Sequence, residues 1–195
     1  MQMTEEPRVV NIYTESNPNP NSLKFVANFM LMPEGISRDF PNIESTSEAP
    51  LAKALFNEFD FVTGVFYMSN FITVTKKEAT EWFEVKSKVQ HFIKDFLTEG
   101  KSIITEEITD NLDEELTGDD AEAKIKGVLE EYIKPAVEMD GGAIKLSSYK
   151  DGVVTVTLQG SCSGCPSSTI TLKNGIENLL KRMVPEVKEV VAEEG

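Results

Sequence analysis

Residues 98–120 divide the chain into two parts, because this stretch is too acidic to share a packed core. It contains nine Asp or Glu residues and one base, Lys101, and so supplies −8 of the formal net charge of −14. Charges of one sign at this density repel each other and keep a segment in water. The sequence therefore predicts two small domains, residues 1–97 and 121–195, joined by an acidic linker.

The composition narrows the range of functions. Of the 195 residues, 40% are apolar, which is ordinary for a globular protein. The excess of acids argues against nucleic acid as a partner, because binding to phosphate requires fields of Lys and Arg. His91 is the single histidine, so an enzyme built on histidine chemistry is not expected.

The sequence shows no signal for a membrane or an organelle. No apolar run approaches the roughly 20 residues that a bilayer-spanning helix needs. The first seven residues, MQMTEEP, have no apolar signal core, and their two acids argue against a mitochondrial transit peptide. We therefore predict a soluble, cytoplasmic protein that does not bind membranes.

The first part of the chain predicts the element order ββαββα. Apolar residues alternate in its strands and recur every third or fourth residue in its helices. A run of turn formers, Asn17-Pro18-Asn19-Pro20-Asn21, separates the first two strands. The expected elements are strands around 10–14 and 23–29, a helix from near 50, strands around 65–68 and 71–75, and a helix over 82–96.

The second part predicts the order αββαβ, so the whole chain is expected to have an α+β fold. Pro135 should kink the first helix, because it cannot donate a hydrogen bond to the carbonyl of Glu131. Asp140-Gly141-Gly142 should end that helix. The expected elements are a helix over 125–137, strands around 144–146 and 154–158, a helix over 172–183 and a strand over 187–192.

Cys162 and Cys165 are the two cysteines of the chain, and their Cys-x-x-Cys spacing is typical of metal-binding or redox sites. They lie between a predicted strand and a predicted helix. Pro166 suits the first helical position, which would place Cys165 near the N-cap, where the helix dipole stabilises a thiolate. The hydroxyls of Ser163, Ser167, Ser168 and Thr169 could donate to sulfur. The loop is therefore expected to favour negative charge, as in a metal bound by thiolates.

The number of ligands points to a site shared by two chains. Structural zinc and cubane iron–sulfur clusters each take four ligands, and this chain offers two cysteines. His91 belongs to the other predicted domain and is expected to face solvent on a helix. Two chains that face each other through Cys162 and Cys165 would supply four thiolates. A site of this kind can be opened, which suits transfer of a cluster.

The residues around the cysteines resemble the C-terminal domain of NifU-like (Nfu-type) iron–sulfur carriers. A second resemblance, to the accessory domain that precedes it in many two-domain members, lies near the N-terminus in residues 17–25, NPNPNSLKF. The segments that carry the first resemblance are 133–136 (IKPA), 140–142 (DGG), 160–169 (GSCSGCPSST), 171–177 (TLKNGIE) and 184–187 (VPEV). After the Gly-Gly pair, where the family often has an acidic residue, this chain has Ala143.

The resemblance implies a carrier or scaffold without catalytic turnover. It would bind a [4Fe–4S] cluster through Cys162 and Cys165 of two protomers, as a homodimer when loaded. Its partners would be the iron–sulfur assembly machinery and the apoproteins that receive the cluster.

Two other interpretations of the cysteine pair stay open from the residues alone. Thiol–disulfide oxidoreductases also place Cys-x-x-Cys at a helix start, although in a βαβ context, whereas here a hairpin precedes the pair. A zinc-bridged structural dimer is the other interpretation, because thiolates bind zinc as well as iron.

Overall fold

The computed structural model describes residues 9–105, 120–163 and 166–194. The chain divides into two compact units, one of Met1–Ser16 and Asn21–Thr109, the other of Asn17–Pro20 and Asp110–Gly195. Both units combine helices with a sheet, which confirms the predicted α+β fold class. Residues 106–119, most of the predicted acidic linker, lie outside the described residues. Within the described ranges, no helix has the length and apolar character needed to cross a bilayer.

The first unit is a five-stranded antiparallel sheet with two helices, and its strand order is β1-β2-β5-β4-β3. Leu23, Phe25, Ile72 and Val74 lie on the face of the sheet that forms the core. The second helix buries the stripe that its sequence predicts, including Val89 and Ile93. The elements are β1 (Ile12–Ser16), β2 (Ser22–Ala27), β3 (Ser37–Phe40), a 3-10 turn (Ile43–Thr46), α1 (Pro50–Glu58), β4 (Val62–Met68), β5 (Phe71–Lys76) and α2 (Trp82–Thr98).

Strand β3 was not expected, so the observed order is βββαββα. Its four residues, SRDF, pair antiparallel with β4 at the edge of the sheet. Only Ser37 and Phe40 are buried, and the two residues between them are charged. A strand this short, with one apolar residue, has no alternation for a sequence pattern to detect.

The second unit has the predicted order αββαβ. Its sheet order is β6-β7-β8, with β6 and β7 as an antiparallel hairpin and β8 parallel to β7. Val154, Val156, Ile176 and Leu180 are fully buried in its core. The elements are α3 (Asp120–Val128), a π-helical turn (Leu129–Ile133), α4 (Lys134–Met139), β6 (Gly142–Lys150), β7 (Val153–Gly160), α5 (Pro166–Met183) and β8 (Glu189–Glu194).

The first helix of this unit changes its winding just before Pro135, where the sequence predicts a kink. Pro135 has no N–H for the carbonyl of Glu131, and the preceding turn adopts the wider π geometry. The N–H of Lys134 accordingly bonds the carbonyl of Leu129, five residues back. The helix ends at Asp140, and Gly141 turns the chain into β6 with a φ of 82°.

We expect Ile93→Ala to lower the free energy of unfolding of the first unit by about 2–5 kcal/mol, because Ile93 is fully buried and its truncation leaves a cavity. Phe83→Ala on the same helix should change it by no more than about 0.5 kcal/mol, since Phe83 is 91% exposed. Urea titration followed by the fluorescence of Trp82, the single tryptophan, measures both. Equal effects of the two substitutions on the free energy of unfolding would contradict the finding that α2 buries Ile93 and exposes Phe83.

Candidate functional site

The cysteine loop, residues 161–165, follows the open end of the β6–β7 hairpin. There the first residue of β6, Gly142, pairs with the last residue of β7, Gly160. Gly160 has a φ of 65°, a conformation that glycine adopts at little cost. Its carbonyl accepts hydrogen bonds from the N–H of Ser163 at 3.2 Å and from the Ser163 hydroxyl at 3.1 Å. Helix α5 then begins at Pro166, as predicted.

Cys162 is a free thiol held against a glycine. Its side chain is 8% exposed and belongs to the core of the second unit. A Cβ atom on Gly142 would lie 2.8 Å from Cys162 Sγ and 2.6 Å from the carbonyl oxygen of Gln159. Neither distance is sterically allowed, so the thiol occupies space that only glycine leaves free.

Ser161 ties the loop to the end of α4. Its hydroxyl donates to the carbonyl oxygen of Asp140, and its N–H donates to the carbonyl of Gly141 at 3.3 Å. The same hydroxyl oxygen lies 3.9 Å from Cys162 Sγ. The helix stop at residues 140–142 is therefore part of the wall of the site.

Two side chains, one near the start of the chain and one in α5, hold the backbone carbonyls around Cys162. The amide Nδ2 of Asn19 donates to the Ser161 carbonyl at 3.0 Å. The hydroxyl of Thr169 donates to the Cys162 carbonyl at 3.3 Å. Asn19 lies in residues 17–20, which group with the second unit.

A cavity of about 240 Å³ opens beside Cys162, and most of its lining surface is apolar. Helix α4 and the first turns of α5 form much of the wall. The lining residues are Pro18, Asn19, Ala136, Val137, Asp140, Ser161, Cys162, Thr171 and Leu172. The thiol therefore lies between the core and a cavity.

The electrostatic surroundings of Cys162 differ from the prediction. Burial raises the pKa of its thiol to about 11; the Ser161 hydroxyl lowers this pKa, and the Asp140 carboxylate raises it. The hydroxyls of Ser163 and Thr169, expected to donate to sulfur, donate to backbone carbonyls instead. In this state the surroundings of Cys162 favour the neutral thiol over the thiolate.

Cys165 and His91 are the two other residues that the sequence analysis considered as ligands. Cys165 lies outside the described residues, so its expected position at the N-cap stays a prediction. His91 is exposed on α2 of the first unit, as expected, with Nδ1 2.6 Å from the Ser87 carbonyl oxygen. Within the described ranges, no three His, Cys, Asp or Glu side chains converge as metal ligands would.

Several residues of the site were not expected there. Ser161 and Asp140 were seen only as parts of the motif and of a helix stop, and Asn19 only as a turn former. Their spacing in the sequence carries no signal of proximity, since 142 residues separate Asn19 from Ser161. The Gly-Gly pair at 141–142 was the one available hint, because a glycine can mark a close approach of chains.

The described residues fit one part of a thiolate site for a metal or cluster. Cys162 offers a sulfur donor at a cavity, and Gly142 provides the space for it. Soft thiolates are the ligands that iron–sulfur clusters and zinc select.

Comparison with known proteins identifies the two domains. The family described as "Scaffold protein Nfu/NifU N terminal" matches residues 12–100, and the "NifU-like domain" family matches residues 125–191. A NifU-like protein from Saccharomyces cerevisiae, solved in solution, is 20% identical with a TM-score of 0.46 over 55% of this chain and 100% of that one. The two family matches together define a two-domain NifU-like protein.

The similar curated proteins carry the name "NFU1 iron-sulfur cluster scaffold homolog, mitochondrial". That of Drosophila willistoni is 44% identical over 94% of this chain and 63% of its own length. That of Drosophila persimilis is 43% identical over 94% of this chain and 65% of its own length. The chain thus spans slightly less than two thirds of these relatives. It belongs to the Nfu-type family of NifU-like proteins.

The prediction of a cytoplasmic location is wrong. The relatives are named as mitochondrial proteins, which points to mitochondria instead. The prediction rested on the charge of the first seven residues, whereas the relatives extend well beyond the matched region.

We expect alkylation of Cys162 to be slow at neutral pH and to accelerate up to about pH 11, the raised pKa of its thiol. Because this pKa is raised on folding, the neutral thiol stabilises the fold below its unfolded pKa of about 8.5, and this contribution is lost as the pH rises towards 11. Iodoacetamide labelling of the Cys165→Ser variant, followed by mass spectrometry, measures the profile.

Two variants test how neighbouring groups change the pKa of the Cys162 thiol. Asp140→Asn should move the alkylation profile of Cys162 to lower pH, and Ser161→Ala should move it to higher pH, because the two groups act in opposite directions. A wild-type profile that levels off near pH 8.5, as for an exposed cysteine, would show that burial does not control this thiol.

We expect Gly142→Ala to lower the free energy of unfolding of the second unit by about 1–3 kcal/mol, because the added Cβ forces Cys162 and β7 apart. Gly175→Ala is the matched control: it lies within α5 with open space around it and should stabilise by about 0.5–1 kcal/mol. Thermal unfolding measures both. If Gly142→Ala leaves the free energy of unfolding unchanged, the close approach of Gly142 to Cys162 is not required for stability.

Proposed function

We propose that the protein is an iron–sulfur cluster scaffold that binds a [4Fe–4S] cluster between two protomers and delivers it to apoproteins. Cys162 and Cys165 of each protomer would be the ligands. The observation that supports this best is Cys162 itself: a free thiol beside a cavity, on a loop that is hydrogen-bonded to three other segments. The names of the relatives support the scaffold role.

Two protomers are needed because one chain contains two cysteines and a cubane cluster usually takes four thiolates. A second copy that presents the same loop would complete the set. In a symmetric pair the cluster lies at the contact between the chains, so separation of the chains exposes it. That arrangement suits a cluster that is cargo.

The cluster-free site protects its sulfur until iron arrives. The buried Cys162 thiol stays neutral at physiological pH, and neutral thiols are poor nucleophiles and poor metal ligands. Binding must therefore release the thiol proton, and the Ser161 hydroxyl, 3.9 Å from Sγ, can stabilise the thiolate by turning its proton from the Asp140 carbonyl towards the sulfur. When bound, the cluster supplies the redox and sulfur chemistry; the chain orients and releases it.

The environment of Cys162 argues against a thiol–disulfide oxidoreductase. Such enzymes attack through a cysteine whose pKa is lowered, whereas burial raises the pKa of Cys162. A zinc-bridged dimer would use the same thiolates and is separated from the cluster by the experiment below.

We place the protein in mitochondria, where its relatives are named, and we propose a role without catalytic turnover. Its partners would be the machinery that assembles clusters and the apoproteins that accept them. Both follow from the scaffold function in the relatives' names.

Anaerobic reconstitution with iron and sulfide tests the proposal. About four iron and four sulfide ions should be found per two chains, with a broad visible absorption and a solution mass that doubles on loading. Cys162→Ser and Cys165→Ser should each abolish stable loading, because a serine hydroxyl stays protonated and is a poor ligand for iron. Each substitution removes two of the four ligands in a symmetric dimer.

Three results would contradict parts of the proposal. A complete cluster on a monomer would exclude the shared site, and zinc without visible absorption would favour the structural dimer. Normal loading of either Ser variant would remove that cysteine from the ligand set. Circular dichroism of the variants is the control, since a Ser on this loop should leave the fold intact.

A further inference from the structure

The Asn-Pro repeat of residues 17–21 is not explained by a turn alone. Asn19, at its centre, is only 2% exposed, which is unusual for an amide side chain in a turn. Pro18 and Pro20 fix their own φ angles, and each restricts the Asn before it to extended backbone. Asn19 is therefore presented on a stiff segment.

The buried amide of Asn19 reaches the cysteine loop. Its Nδ2 donates to the carbonyl of Ser161 at 3.0 Å, and Ser161 is also 2% exposed. A buried carbonyl that loses its donor is left without water to replace it, so this kind of bond is costly to remove. Asn19 also lines the cavity that Cys162 faces.

We propose that Asn19 is a positioning residue of the cluster site, which fixes the peptide that presents Cys162. The expected effect of Asn19 on a bound cluster rests on the proposed function, whereas its expected effect on the Cys162 thiol does not. A segment near the start of the chain would then be required for the site, although the cysteines lie more than 140 residues later.

The planarity of the peptide bond explains how one hydrogen bond can do this. The Ser161 carbonyl and the Cys162 N–H belong to one rigid plane, so the carbonyl that Asn19 holds also fixes the N–H and the Cα of Cys162. The Thr169 hydroxyl holds the next carbonyl, that of Cys162 itself. With both flanking peptides fixed, Sγ is kept against Gly142, at the edge of the cavity.

The experiment compares Asn19→Ala with Asn21→Ala, a matched change in the same repeat. Asn21 belongs to the first unit, where its Oδ1 accepts from Lys76 Nζ at 3.3 Å. Asn19→Leu is a second variant of similar size that lacks the amide donor and adds no charge. Circular dichroism and the unfolding midpoint report whether each variant is folded.

Two readouts are taken on the full chain. In the cluster-free Cys165→Ser background, Asn19→Ala and Asn19→Leu should raise the alkylation rate of Cys162 at fixed pH by about tenfold, the effect of one lost buried hydrogen bond. In the chain with both cysteines, the two variants should shorten the half-life of the reconstituted cluster under a chelator by a similar factor. Asn21→Ala should change either rate by no more than about twofold.

The outcomes separate this inference from the proposed function. Unchanged rates in both Asn19 variants, or an equal effect of Asn21→Ala, would overturn the positioning role. If the wild-type chain cannot be loaded at all, the proposed function fails, while the alkylation comparison still decides the role of Asn19. If Asn19→Ala does not fold, Asn19→Leu decides by the same two rates.

Discussion

The contact between Gly142 and Cys162 is the constraint on which the second unit depends. It requires a glycine at the first residue of β6, because any side chain there would meet both the Cys162 sulfur and the Gln159 carbonyl. It requires the helix before it to stop and reverse, which Gly141 achieves with a φ of 82°. It also fixes where the hairpin ends, since Gly142 pairs with Gly160 immediately before the cysteine loop. The fold of the second unit and the position of Cys162 thus both require glycine at residue 142.

Much of the architecture follows from local patterns. The amphipathic stripe of α2, the hairpin of β4 and β5 and the start of α5 at Pro166 all lie where periodicity and turn chemistry predict them. Strand β3 could not be predicted, because its pairing with β4 supplies what its own four residues lack. Cys162 was identified from its motif, but the donors around it were not. Asn19 and Ser161 meet only through tertiary structure, and no spacing rule connects them.

The state of the thiol could not be predicted from the sequence either. Helix-dipole reasoning predicted a thiolate at Cys165, whereas Cys162 packs into the core, where burial favours the neutral thiol. Desolvation depends on what surrounds a group in three dimensions, which is a property of the whole unit. The result is a sulfur that stays protonated at neutral pH.

The π-helical turn at Leu129–Ile133 determines how the buried faces of α3 and α4 line up. Each residue of an α-helix rotates the chain by about 100° around the helix axis. The number of residues between a buried position on α3 and one on α4 therefore decides whether the two lie on the same face. Ile125 on α3 and Val137 on α4 are both buried in one core but lie twelve residues apart, which regular winding would leave about 120° out of phase. The wider turn absorbs one residue and so brings both side chains to the core side. A deletion of one residue within these five should therefore be accepted, because regular winding over eleven residues keeps the two side chains within about 20° of each other.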